Sequence, residues 1–361
     1  MILLRQPVRL FVGVILACWL GFSSLGLRAA TFCINYSATP EVAALRDFDF
    51  SILSPEARVD VAALQRSGHR SYAYLSVVEV AKDAPYRAEL ATRHVALLGK
   101  NEVWLGDLAD VSQPAWADFV VNTLAVRAAQ KGFTGFFLDT ADSLELLEKQ
   151  FPQRGTAFRD GMVTLIKLLK AKFPQHPIIL NRGFPLLARL TGVVDGVLAE
   201  SLFRKFDFKE KRYVAVDAAG SQWLLNILRT ISQAGLPVYV VDYVDAQETT
   251  LAEDAARRIS GVGFTPFIST VELDGRLLAP RPRSRNTPAP AVAPKPVPQL
   301  PPALPSVSSG TPVARAPLEP GGNSSPLQMG EIPRFVLTLF GNREADVEDL
   351  VRWPIDSGVA Q

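Results

Sequence analysis

Eight apolar runs of strand length alternate with helix-period segments between residues 31 and 268, and this alternation constrains the fold more than any other feature of the chain. The runs are Thr31–Tyr36, Phe48–Leu53, Arg70–Val77, Thr134–Leu138, Pro177–Leu180, Gly196–Ala199, Pro237–Val241 and Val262–Ile268. Most are apolar at successive positions rather than at every second one. A sheet buried on both faces demands that pattern, and such sheets are parallel and covered by helices. Helical spacing falls in between, over Val59–Arg66, Pro114–Gln130, Thr156–Phe173, Ser221–Gln233 and Thr250–Ser260. Pro114, two residues after Ser112, fits a helix start. Eight strand–helix alternations predict an α/β fold, a (β/α)8 TIM-like barrel. An open doubly wound sheet also alternates, but its dinucleotide fingerprint is missing. The first strand runs into Ser37-Ala38-Thr39 with no glycine-rich turn.

The barrel accounts for residues 31–278. Before it, Arg5 and Arg9 precede an apolar stretch, Leu10 to Leu20, and small residues lead to Ala30. This is the layout of a secretory signal peptide over residues 1–30, which predicts a periplasmic or secreted protein. An uncleaved membrane anchor and lipidation at Cys18 are the alternatives. Cleavage after Ala30 leaves Cys33 as the one cysteine, so the fold relies on packing rather than on an internal disulfide. After the barrel, residues 279–333 hold more than half of the chain's 27 prolines and show no apolar periodicity. They read as an extended, disordered linker. Residues 334–361 open with the apolar run Phe335–Phe340 and are too few for a core, which suggests the first strand of a further, truncated domain. With 48% hydrophobic residues and a net charge of +2, the chain has core enough for a large domain and no basic stripe for nucleic acid.

In a parallel barrel, functional side chains sit just past the C-terminal ends of the strands. The residues there are Tyr36, Ser54 with Glu56, Glu79, Asp139 with Asp142, Asn181 with Arg182, Glu200, Asp242 with Tyr243 and Asp245, and Ser269. Carboxylates beside tyrosines suit a sugar cleft. The fourth strand ends directly on Asp139 and the sixth on Glu200, near neighbours across a barrel mouth. A pair of carboxylates flanking a glycosidic bond is the minimum for its hydrolysis. The plainer reading of a strand-end acid is a helix cap or an arginine partner. Trp104 with Asp107 reads as a sugar subsite or, more simply, as a packed ring beside turn acids such as Asp110. His69, His94 and His176 share no metal-ligand spacing, and no metal or cofactor is expected.

The segments GFTGFFLDTADS, AYLSVVEV, IILNRGF, VLAESLF and VYVVDYV together resemble the barrel of the α-1,4-polygalactosaminidases, a family 114-type glycoside hydrolase. More closely, they resemble the hydrolase domain of the PelA proteins of Pel exopolysaccharide systems. The resemblance spans roughly Thr31 to Leu273 and is most specific around Asp139 and Glu200. It implies an endo-glycosidase acting on α-1,4-linked galactosamine or N-acetylgalactosamine chains. Asp139 would be the nucleophile and Glu200 the acid/base of a retaining reaction; swapped roles and inversion stay open. Tyr36, Glu79, Asp142, Asn181, Asp242 and Tyr243 are then candidates for substrate contacts. Secretion-complex proteins are candidate partners, and the alternative function is a non-catalytic barrel binding polysaccharide or such a partner. Proteins of that system carry a deacetylase after the hydrolase, which this chain, ending at Gln361, does not carry over.

Overall fold

The computed structural model describes residues 30–102 and 105–279. The expected signal segment, Trp104, nearly all of the expected linker and the C-terminal stub lie outside the described residues. Eight parallel strands form one sheet: β1 (Phe32–Asn35), β2 (Phe50–Leu53), β3 (Arg70–Ser76), β7 (Gly135–Asp139), β8 (Ile178–Asn181), β9 (Gly196–Glu200), β12 (Val238–Tyr243) and β13 (Thr265–Ser269). They pair in chain order, β1-β2-β3-β7-β8-β9-β12-β13. The first strand then returns to the last. Phe32 and Phe267 bring their rings within 5.7 Å, and the Tyr36 N–H donates to the Leu273 carbonyl at 2.7 Å. The sheet is thereby nearly closed into a (β/α)8 barrel, as the alternation predicts. Each of the eight predicted runs overlaps one barrel strand.

The predicted helical segments are helices as well: Val61–Arg66, Gly155–Lys172, Ala218–Gln233 and Thr249–Gly261. The segment at 114–130 is helical throughout but carries a wider π turn at Val120–Leu124. Asp60 and Asp217 cap two of these helices, each accepting a backbone N–H at 2.8 Å. Amphipathic helices over a sheet that is buried on both faces explain why the strands lack a polar face.

Two additions were not foreseen. β4 (Glu79–Val80), β5 (Leu97–Asn101) and β6 (Gly106–Ala109) form a small antiparallel sheet in the order β4-β6-β5. β10 (Arg204–Asp207) and β11 (Arg212–Ala215) form an antiparallel hairpin straight after β9. Both leave the C-terminal ends of barrel strands, the third and the sixth.

The start of the barrel is plugged by aromatics. The Phe32 ring lies 5.2 Å from Tyr239, Phe50 lies 5.3 Å from Tyr239, and Phe50 lies 4.9 Å from Tyr72. Neither β1 nor β2 neighbours β12, so these contacts cross the barrel and identify its inward rows. Gly135 makes room for them: a Cβ there would stand 2.7 Å from the Tyr72 ring and 2.9 Å from the Pro177 carbonyl. Burying each such ring contributes roughly 1.5–3 kcal/mol.

Candidate active site

Side chains alternate along a strand, so the inward rows can be followed from the plug to the mouth. From Tyr239 the row on β12 passes Val241 to Tyr243. On β7 it runs from Gly135 to Asp139, on β9 from Gly196 to Glu200, and on β8 from Ile179 to Asn181. The pairing registers Ser76 with Asp139, Asn181 with Leu198 and Val241 with Glu200. Asp139, Asn181, Glu200 and Tyr243 therefore meet at one level of the mouth.

Asn181 holds the two acids together. Its Nδ2 donates to Asp139 Oδ1 at 2.7 Å and to Glu200 Oε1 at 2.7 Å. Both neighbours are acceptors, which orients the amide with its NH2 toward them. The other amide atom, Oδ1, is buried without a hydrogen-bond partner among the described residues. The second oxygen of Glu200 accepts the Tyr243 hydroxyl. Arg182 donates from Nη2 to the Glu200 carbonyl at 2.8 Å, and its Nε lies 3.9 Å from Asp142.

Two residues that the strand-end reading passed over complete the group. Tyr74, on β3, lies close enough to Asp139 for that charge, after burial, to act on its hydroxyl, and its ring packs edge-on against Tyr36 at 5.0 Å. It belongs to the inward row of Tyr72, and that alternation was the signal that would have found it. Thr140 accepts at Oγ1 the N–H groups of Val77, Val78 and Glu79 at 3.0–3.3 Å. Trp116 adds an indole N–H to the Val77 carbonyl at 2.7 Å. The loop after β3 is thus tied to the residue following Asp139.

The backbone is strained at three equivalent places. Thr140 (φ 64°), Arg182 (φ 51°) and Ser201 (φ 64°) are left-handed, and each directly follows Asp139, Asn181 or Glu200. This conformation is uncommon outside glycine, and a β-branched threonine in it is a true outlier. Such strain persists where the surroundings over-determine it, which is typical of functional sites.

Electrostatics set the acids apart. Burial, followed by the nearby Asp139 charge, pushes the Glu200 carboxyl above its ordinary value, while Tyr243, Arg182 and Asn181 oppose the rise. Asp142 is pushed up to about 7, first by desolvation and then by Asp139 and Glu200, with Arg182 acting against them. Its side chain is still 46% exposed. Water at that side screens its charge. Tyr36, Tyr74 and Tyr243 are held well above the usual phenol value by burial and by the same acids, so they stay neutral donors.

Of the expected substrate contacts, Tyr36, Asp142, Asn181 and Tyr243 gather around the pair. Two have their carboxylates engaged by other parts of the chain. Asp242 is one residue out of phase with Tyr243 and is fully buried. Its carboxylate accepts the N–H groups of Leu202, Phe203 and Arg204 at 2.7–3.3 Å, anchoring the loop after β9. Burial pushes this carboxyl to about 7 despite those bonds. Glu79, 7% exposed, accepts from Asn101 at 2.8 Å and from the Ser143 hydroxyl, tying the small sheet to the turn after Asp139.

Four of the other acids and histidines named above have local partners. Asp107 pairs with Arg87, and Asp110 accepts from Ser112 and Arg154. His69 bonds Ser51 at 2.9 Å, and His176 stacks on Phe136 at 5.3 Å. No group of three or more His, Cys, Asp or Glu among the described residues is placed to hold a metal. No helix among them is long and apolar enough to cross a membrane.

The sequence pattern of glycoside-hydrolase family GH114 matches residues 28–284. The glycoside hydrolase domain of PelA from Pseudomonas aeruginosa is similar at 29% identity and a TM-score of 0.62, over 68% of this chain and 96% of that domain. A variant of the same domain superposes with a TM-score of 0.63 at 28% identity, with the same coverage. Ega3 of Aspergillus fumigatus, solved in complex with galactosamine, shares the fold at 15% identity and a TM-score of 0.53, over 68% of this chain and 93% of that one. No curated protein matches the sequence.

Proposed function

The chain belongs to glycoside-hydrolase family GH114 and is a glycoside hydrolase; from that premise we propose that it is an exported endo-glycosidase cutting α-1,4-linked galactosamine or N-acetylgalactosamine chains with Asp139 and Glu200. The substrate class rests on the sequence resemblance to polygalactosaminidases. Export rests on the signal-like segment before Ala30.

The observation that carries the chemistry is the shared Asn181 amide. Two carboxylate oxygens each 2.7 Å from one nitrogen can be no further apart than twice that distance. This lies on the short side of the division between mechanisms, where retaining pairs stand about 5–5.5 Å apart and inverting pairs about 6.5–9.5 Å. It favours retention. Burial and the Asp139 charge favour a protonated Glu200, the form a general acid needs.

In the first step Asp139 attacks the anomeric carbon as Glu200 gives its proton to the departing glycosidic oxygen, leaving a glycosyl ester on Asp139. In the second, Glu200 takes a proton from water, which attacks the same carbon and frees Asp139. Asn181 keeps both carboxylates aimed throughout. Asp142 with Arg182, and the rings of Tyr36 and Tyr74, bound the sugar at the mouth.

The test is hydrolysis of a purified α-1,4-linked galactosamine polymer by the wild-type chain beside Asp139→Asn and Glu200→Gln. Release of oligosaccharides by the wild type and a loss of about a thousandfold or more in both folded variants is the expected outcome. A wild type that binds the polymer but releases nothing would instead favour a binding barrel.

A further inference from the structure

The β10–β11 hairpin is fastened to the mouth at three points. At its base, Asp242 takes the N–H groups of Leu202, Phe203 and Arg204. β10 packs against β12, whose last residue, Tyr243, holds Glu200. Farther out, the Tyr213 hydroxyl accepts the Val271 N–H at 3.2 Å from the segment after β13. The turn is also ordered, since Asp207 Oδ1 accepts the N–H groups of Lys209 and Glu210 at 3.0 and 2.9 Å.

On this fixed frame the hairpin carries three aromatic rings in contact. Phe206 faces Tyr213 in the pairing register, with ring centres 4.9 Å apart, and meets Phe208 edge-on at 5.1 Å. Phe208 keeps 44% of its surface exposed. A large apolar ring left in water forgoes the benefit of burial, and with Phe206 and Tyr213 it makes one contiguous apolar patch on a hairpin that begins four residues after Glu200. Sugar rings present C–H faces that such a ring can cover.

The charge here is opposite to that at the acid pair. Residues 204–212, Arg-Lys-Phe-Asp-Phe-Lys-Glu-Lys-Arg, hold five cations and two acids. A free-amine galactosamine unit is cationic and is disfavoured beside them. An N-acetylated unit is neutral and adds a methyl group to the apolar contact.

We propose that the β10–β11 hairpin is a sugar subsite, with Phe208 as its platform, that takes an N-acetylated hexosamine unit of the chain a fixed number of units from the cut. The proposal rests on the hydrolase reading of Asp139 and Glu200 and adds the acetylation preference of one position.

The test is digestion of a partly N-acetylated α-1,4-galactosamine polymer by the full chain, with products sequenced for acetyl groups from the new ends. Wild type is expected to show N-acetyl enrichment at one fixed distance from the cut. Phe208→Ala abolishes that enrichment, leaves the units at the cut unchanged and lowers kcat/KM on the polymer about tenfold. Phe208→Trp restores both, and Lys209→Glu with Lys211→Glu lets free-amine units into the same position. Absence of positional enrichment in wild-type products, or enrichment that persists in Phe208→Ala, overturns the subsite. A wild type that makes no cut strikes the hydrolase reading instead.

Discussion

The two ends of the barrel are built from the same strands and the same inward rows, yet they hold opposite chemistry. Where the strands begin, Phe32, Phe50, Tyr72, Tyr239 and Phe267 pack ring on ring, all at most 8% exposed. Two to four residues further along these rows and those of β7, β8 and β9 stand Tyr36, Tyr74, Asp139, Asn181, Glu200 and Tyr243. The strands that end in the two acids both carry glycine at the plug. A Cβ at Gly135 would collide with the Tyr72 ring, and one at Gly196 would come within 3.1 Å of Tyr239. The plug excludes water, whereas the mouth is partly open to it and must hold charges there. It does so with hydrogen bonds from Asn181 to one oxygen of each acid, from Tyr243 to the other Glu200 oxygen, and with three left-handed residues, whereas the plug uses dispersion and apolar burial. The difference teaches that stability and chemistry are assigned by position along a strand rather than by strand.

Substitutions at the two ends should separate these roles. The largest effect belongs to the plug. Phe50→Ala is expected to cost about 3–5 kcal/mol in denaturant unfolding while leaving kcat of the remaining folded protein unchanged. A normal unfolding midpoint with lost activity would break the division. Next comes Asn181→Ala, which removes the donor shared by both acids. We expect kcat to fall about a hundredfold, with KM and the melting temperature little altered, because the amide holds charges rather than packing. A variant that loses stability in proportion to activity would make Asn181 a structural residue. The smallest is Tyr243→Phe, with kcat within about tenfold of wild type. Its signature lies in the pH profile. Glu200 acts as an acid, so activity is present below its raised value and is lost as the pH rises through it. The Tyr243 hydroxyl favours the ionised carboxylate, so removing it moves the alkaline limb to higher pH. Movement to lower pH, or none, would detach Tyr243 from the acid.

The barrel strands were legible because a sheet buried on both faces leaves dense apolar runs that few other structures tolerate. Asp139 and Glu200 were legible because each ends such a run. The small sheet of β4, β5 and β6 and the β10–β11 hairpin were not. They are short, partly exposed and stabilised by what they lean on, so they leave no period of their own. The reading of strand ends also treated neighbours alike. Asp242 and Tyr243 are consecutive, and alternation sends one outward to backbone amides and the other inward to Glu200. Tyr74 was missed for the converse reason, being two residues short of its strand end but on the inward row.

By itself, then, the sequence determined the order of strands and helices, the closed α/β architecture they lead to, and which two acids end inward-facing strands. Local patterning suffices for these because alternation and helical period are properties of neighbouring residues. Tertiary structure alone decided that one amide, Asn181, spans both acids, that Glu79 and Asp242 are anchors, and that Phe208 is held exposed on the β10–β11 hairpin. Those facts depend on register between strands far apart in the chain and on which groups lose water together, and no local window contains either.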